Sequence, residues 1–312
     1  MDLIVCFTPL QLIQCQKLIE EKIIGKCKLI FLTSNDSKQI RYYYEKFPCD
    51  EKLLYLTHKR FPFYALDLKA MFNSVTYNNV FLSNVDSIYC HYILSFIRFS
   101  DLFTFDDGTI NLVQDSGFYI NKRSLFYSLL YKALGCKYDL NRTKSEITQH
   151  FSIYKDHKNI VDNVRYINLE FVSNEEQVTE CRYPVANVLI GTVYDSITND
   201  KASLLAQLNF EFKNKEFYYI PHPMEIDGDF DLGYSIPGYE IAEIKILNLL
   251  NTYNKINVYG FNSSVQINVS QNERITNYKL SSEFLKIRFN LNYSFIEYHL
   301  ASIIEGKKSA IS

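Results

Sequence analysis

Asp106, Asp107 and Gly108 put two adjacent carboxylates and a glycine directly after a β-prone apolar run, Leu102 to Phe105. A buried strand that stops on charge presents that charge at the carboxyl edge of a sheet, where open α/β folds bind their ligands. A carboxylate there could take a proton from a hydroxyl group. The same residues also suit a plain strand-to-loop turn, because Asp-Gly is a common turn pair. Holding one metal ion is the weaker use, since neighbouring side chains on an extended tip point apart. A second candidate is His222, set between Pro221 and Pro223 after the run Glu216 to Ile220. The prolines stiffen the backbone, and an imidazole can donate to phosphate near neutral pH. A lone loop histidine is, as often, inert. Ser263 and Ser264 follow Gly260, and Gly191-Thr192 follows the run Ala186 to Ile190. Hydroxyls and backbone N–H groups so placed can cradle phosphate, or simply cap and turn.

Such residues act only if strands hold them at a common edge. Leu3 to Phe7, Lys28 to Thr33, Lys52 to Leu56, Asn79 to Ser83 and Leu102 to Phe105 read as strands. Helical spacing fills the intervals at Leu10 to Lys22, at Ser37 to Tyr44, at Leu66 to Phe72 and at Ser87 to Phe96. In the first helix, Leu10, Ile13, Leu18 and Ile19 form the expected inward side. A helical, aromatic-rich region runs from Ser124 to Leu134, and a charged, mixed segment from Asp156 to Glu180 holds the expected linker. The alternation then restarts with strands at Ala186 to Gly191, Glu216 to Ile220 and Lys255 to Tyr259. Helices are expected at Lys201 to Leu208, at Ile241 to Leu250 (Ile241, Ile244, Leu247 and Leu250 inward) and at Ser281 to Leu300, the last closing the fold. The expected class is therefore α/β and GT-B-like: two Rossmann-type domains whose parallel sheets face a central cleft. The N-terminal domain, 1–160, carries Asp-Asp-Gly, and the C-terminal domain, 161–312, carries His-Pro and Ser-Ser.

Composition narrows the function. A chain of 312 residues with 47% hydrophobic and 22% charged residues is globular and long enough for two cores. A net charge of -2 with no long basic run gives no reason to expect nucleic acid. The seven cysteines are scattered without a C-x-x-C pair, which points to a reducing compartment and against zinc. The start lacks a basic, long apolar leader, and no apolar stretch is long enough for a bilayer span. G-x-G-x-x-G, the P-loop, G-x-S-x-G and H-E-x-x-H are all absent, which removes most of the prior for dehydrogenases, P-loop NTPases, α/β-hydrolases and zinc peptidases.

The combination of Asp106-Asp107-Gly108, His222-Pro223 and Ser263-Ser264 resembles the bacterial sialyltransferases. Cys6-Phe7-Thr8-Pro9-Leu10-Gln11, running into a helix, resembles glycosyltransferase family 52, which includes lipooligosaccharide and some capsule sialyltransferases. The resemblance implies an inverting transfer of sialic acid from CMP-sialic acid to a terminal galactose of a bacterial surface glycan, with no metal or cofactor. Asp106 would be the general base on the acceptor hydroxyl, and Asp107 and Gly108 would shape the tip. His222, with Pro223 fixing its loop, would bind the CMP phosphate together with Ser263 and Ser264. Gly191 and Thr192 would face the nucleotide, Glu240 the cytidine ribose, and Thr8, Pro9 and Gln11 the sugar or acceptor. The implied partners are a nucleotide-sugar donor and a glycan or glycolipid acceptor, in the cytoplasm. Peripheral contact with the inner membrane face and a homodimer stay open; Lys307-Lys308 is too small a patch to argue the former. Two alternatives stand beside this reading: transfer of another sugar such as glucose, and a catalytically silent glycan- or nucleotide-binding protein.

Overall fold

The computed structural model describes residues 1–121, 123–169, 183–225, 228–286 and 295–301. The chain divides into two compact units, Met1–Leu169 and Glu170–Ser312. Cys181 and Lys307-Lys308 lie outside the described residues.

The first unit runs β1 (Asp2–Cys6), α1 (Pro9–Glu20), β2 (Cys27–Thr33), α2 (Lys38–Lys46), β3 (Glu51–Leu56), α3 (Phe63–Phe72), β4 (Asn79–Leu82), α4 (Ile88–Phe96) and β5 (Asp101–Phe105). A short 3-10 turn at Gly108–Leu112 leads on to α5 (Leu125–Ala133), α6 (Leu140–Ser145), β6 (Ile147–Ser152) and β7 (Val164–Tyr166). Its sheet has the order β3-β2-β1-β4-β5-β6-β7, with every pairing parallel. Chain direction across the sheet reverses between β1 and β4, which opens a crevice at their carboxyl ends. Both faces of the sheet are covered. Leu3 and Val5 of β1 belong to one core cluster with α3 and α4, and Ile4 and Cys6 to another with α1. That two-sided burial is why these strands read as continuous apolar runs. Unit one extends past residue 160 to take in β7.

The second unit runs β8 (Tyr183–Ile190), α7 (Tyr194–Ile197), α8 (Lys201–Phe212), β9 (Tyr218–Ile220), β10 (Tyr234–Ser235), α9 (Ala242–Leu249), β11 (Tyr253–Gly260), α10 (Ser264–Asn268), β12 (Ile275–Ser281) and β13 (Ile296–His299). Its order is β10-β9-β8-β11-β12-β13, again parallel throughout, with the reversal between β8 and β11. The expected closing helix from Ser281 to Leu300 is corrected here: its end, Ile296–His299, is a strand pairing with β12. Residues 287–294 of that expectation lie outside the described residues.

Two helix faces also differ from the apolar count. The buried side of α1 is Gln11, Leu12, Gln14, Cys15 and Leu18; of the expected inward residues only Leu18 is on it, and Leu10, Ile13 and Ile19 are not. In α9 the buried residues are Glu243 and Ile246, flanked by Ile241 and Leu250. Polar groups turn inward where they have a partner: Asn268 Nδ2 donates to Glu243 Oε1 at 2.7 Å, and the two glutamines serve the β5 tip described next. A hydrophobic periodicity cannot register such residues.

Candidate active site

The two carboxylates after β5 have opposite surroundings. Asp106 is fully buried, and each of its oxygens accepts a hydrogen bond from the protein. Oδ1 accepts from His150 Nε2 at 3.0 Å and from Asn159 Nδ2 at 3.2 Å, while Oδ2 accepts the Ile153 N–H at 2.7 Å. A carboxylate only accepts, so His150 carries its proton on Nε2 and its Nδ1 takes the Thr104 hydroxyl at 2.8 Å. The Asp106 carbonyl accepts Gln14 Nε2 at 2.9 Å. Asp106 thus ties β5, β6 and α1 together. With no exposure and three donors on its oxygens, this carboxyl is placed to brace the tip, and the neighbouring Asp107 is the more open of the two.

Asp107 is only partly buried. Its Oδ1 accepts from Gln11 Nε2 and its Oδ2 from Asn84 Nδ2 at 2.8 Å, which leaves each oxygen a further lone pair. Its backbone N–H donates to Asn111 Oδ1 at 2.8 Å. Burial pushes the carboxyl up to about 6; the Asn84 and Gln11 amides pull it down, and Asp106 raises it further. Both amides are themselves fixed. Gln11 Oε1 accepts the Phe7 and Thr8 N–H groups at 2.6 and 3.2 Å, and Asn84 Oδ1 accepts the Asp86 N–H at 3.1 Å. Gly108 follows with φ of +72° and free space where a Cβ would stand, so the glycine answers to backbone conformation and not to crowding.

Thr8 is the exposed N-cap of α1, and Pro9 fills its first position, where a missing N–H costs nothing. Of the three residues expected near sugar or acceptor, Gln11 therefore touches the carboxylate tip itself. A groove of about 570 Å³ lies at this sheet edge, lined by Phe7, Thr33, Thr57, Asn84, Tyr89 and Phe118 among others.

In the second unit, Pro221 to Pro223 are exposed after β9. The Met224 N–H donates to His222 Nδ1 at 3.1 Å. A backbone N–H can only donate, so the neutral ring holds its proton on Nε2. Partial desolvation of the ring by its own loop lowers its affinity for a second proton. Gly191, at the β8 tip, is tightly enclosed: a Cβ there would overlap Glu225 Oε2 and lie 2.5 Å from the Tyr219 hydroxyl and 3.0 Å from the His222 nitrogen. Gly191 and His222 are thus brought together.

Ser263 and Ser264 stand after β11, which lies two strands from β9 in the sheet order. Ser263 is the N-cap of α10, with Oγ accepting the Val265 N–H at 3.2 Å while Gln266 Oε1 accepts the Ser263 N–H at 3.1 Å. Ser264 opens the helix. Thr192 is half-buried beside Gly191, and Glu240 is half-buried just ahead of α9, against Gly238. His150, Asn159, Asn84, Tyr219 and Glu225 were not singled out from the sequence. A histidine and an asparagine inside or near apolar strands were the available signal for the first two.

Among the described residues no group of three or more His, Cys, Asp or Glu side chains could hold a metal ion, and no helix is long and apolar enough to cross a membrane.

Two parallel six- and seven-stranded sheets, each with functional-looking tips at its reversal point, define a GT-B-like α/β protein. In fold the chain is similar to a solved structure described as a UDP-N-acetylglucosamine 2-epimerase from Listeria monocytogenes, with a TM-score of 0.53 over 89% of this chain and 78% of that one at 10% identity. In sequence, residues 25–283 match the model of glycosyltransferase family 52, and the chain belongs to that family. It is 33% identical, over 91% of its length and 92% of the relative's, to the CMP-N-acetylneuraminate:beta-galactoside alpha-2,3-sialyltransferase of Pasteurella multocida. It is also 28% identical to the N-acetyllactosaminide alpha-2,3-sialyltransferase of Haemophilus influenzae, over 86% of this chain and 88% of that one.

Proposed function

We propose that the protein is a sialyltransferase that moves sialic acid from CMP-sialic acid to the 3-hydroxyl of a terminal galactose on a bacterial surface glycan. The observation that carries this reading is the 33% identity, along nine-tenths of the chain, to a protein named for that donor, acceptor and linkage. Asp107 replaces Asp106 as the base. It takes the proton of the acceptor hydroxyl while that oxygen bonds to the anomeric carbon of the donor, and the bond from that carbon to the phosphate oxygen breaks with inversion. The electron pair leaves with CMP. His222 Nε2–H and the hydroxyls of Ser263 and Ser264 donate to the phosphate as its charge grows.

Physical chemistry supports the choice of Asp107. A base working near neutrality does best with an affinity for protons close to the working pH, and burial brings Asp107 to about 6. Gln11 and Asn84 hold the carboxylate in one orientation, and the groove beside Asn84 offers the galactoside a way in. Asp106 keeps the tip in shape from below. The acceptor is a lipid-linked or capsular glycan met on the cytoplasmic side, and the chemistry calls for no metal because CMP, a nucleoside monophosphate, leaves readily.

A thermal-shift panel of CMP, UDP, GDP and ADP tests the donor. Selective stabilisation by CMP is expected. Stabilisation by UDP alone would move the reading to another nucleotide sugar, and CMP binding without turnover of any β-galactoside would make the protein a silent binding module.

A further inference from the structure

We infer that Glu225 is a positioning residue for His222, locking the loop backbone and the imidazole tautomer through a hydrogen-bonded wedge against Gly191. This role rests on the reading of His222 as the phosphate donor.

Four contacts converge on the Glu225 side of the loop. The His222 N–H donates to Glu225 Oε2 at 3.1 Å, and the Glu225 N–H donates to the His222 carbonyl at 2.9 Å, closing a tight turn. The Tyr219 hydroxyl donates to Glu225 Oε1 at 2.5 Å. That hydroxyl has spent its proton, so the Tyr194 hydroxyl, 3.2 Å away, must be the donor between the two tyrosines. The order is Tyr194 to Tyr219 to Glu225, with His222 on the other oxygen. Tyr194 is fully buried and Tyr219 nearly so, which anchors the wedge in the core while His222 stays exposed.

Two features show that the wedge has a purpose beyond filling space. Gly191 has no positive φ among the glycines that do, so its lack of a side chain answers to crowding by Glu225, Tyr219 and His222. The turn closed by Glu225 also brings the Met224 N–H onto His222 Nδ1, and that contact is what leaves the ring proton on Nε2. Among the described residues Nε2 has no protein partner, so it is the nitrogen left for a ligand. Remove the carboxylate, and the loop loses the acceptor that orients its own N–H. A ring free to exchange tautomers would then spend part of its time presenting a lone pair to phosphate, which repels instead of binding.

The test is a double-mutant cycle with CMP-sialic acid and a β-galactoside, using Glu225→Ala, Glu225→Gln and His222→Ala. Glu225→Ala should lower kcat roughly 10- to 100-fold, the scale of a modest misplacement of a reacting group. Glu225→Gln, which keeps an acceptor oxygen, should recover part of that loss. In the His222→Ala background Glu225→Ala should change kcat by less than about twofold, because the residue it positions is gone. Equal losses in both backgrounds would overturn the inference. If Glu225→Ala fails to fold, Glu225→Gln carries the cycle. Nitrogen-15 spectra of the ring supply a readout that needs no activity: the Nε2–H tautomer alone in wild type, a tautomer mixture in Glu225→Ala, and less of the second tautomer in Glu225→Gln than in Glu225→Ala. An unchanged single tautomer in folded Glu225→Ala would also overturn it. Near-wild-type turnover by His222→Ala would instead sink the phosphate role, and the spectra would still decide whether Glu225 sets the tautomer.

Discussion

The β5 tip of the first unit and the β9 tip of the second solve the same problem by different means. Each must hold one titratable side chain at a sheet edge in a single orientation. At the β5 tip the work falls to side-chain amides and a buried carboxylate: Gln11 and Asn84 grip Asp107 from outside, and Asp106 braces the turn from within. At the β9 tip the side chain is exposed, and proline stiffness plus one acceptor, Glu225, hold its backbone. The first design spreads its support over α1, the end of β4, β5 and β6; the second keeps it within one turn and the glycine facing it. On the proposed reading, a motif of adjacent acids divides its labour, with one acid for the fold and the other for the chemistry.

The sharpest way to break that division is to swap the damage. Asp107→Asn should lower turnover roughly 10²- to 10⁴-fold, the range of general-base assistance, while CMP affinity measured by calorimetry stays close to wild type. Asp106→Ala should instead unfold the tip. It strips the acceptor from His150, Asn159 and the Ile153 N–H, and urea denaturation should show a loss of about 3–5 kcal/mol, as when one partner of a buried polar pair is removed. A folded Asp106→Ala protein of near-normal stability and no activity would reverse the two roles. Gly108→Ala gives the smallest effect, about 1 kcal/mol of stability with turnover changed little, because the cost is only the left-handed backbone at φ of +72° with nothing nearby to clash.

Most of the architecture was legible in the chain. The strands of the first unit are buried on both faces, so they stand out as apolar runs between helical spacings, and β1 to β5 fall within a residue or so of where they were expected. The second unit was read less fully. β12 mixes Thr276, Asn277 and Lys279 into its run, and β13 is four residues long and mostly exposed, so neither makes an apolar signal. The candidate residues could be named from the sequence, but their surroundings could not. Nothing in the order Asp106-Asp107 says which carboxyl turns inward; that depends on His150 and Asn159, more than forty residues away along the chain. Likewise an apolar count over α1 passes over Gln11 and Gln14, which are the residues of α1 that reach the β5 tip.

The dependence of kcat/KM on pH tests the assignment of Asp107 most directly. Burial raises this carboxyl above its ordinary value to about 6, so its neutral form favours the fold: that stability is present at acid pH and is lost as pH rises through about 6. Activity runs the other way, since the base must be ionised. Wild type should gain kcat/KM as pH rises through about 6, and the residual activity of Asp107→Asn should lack that limb. A limb near the ordinary carboxylate value, or one that survives intact in Asp107→Asn, would contradict the account and place the base elsewhere.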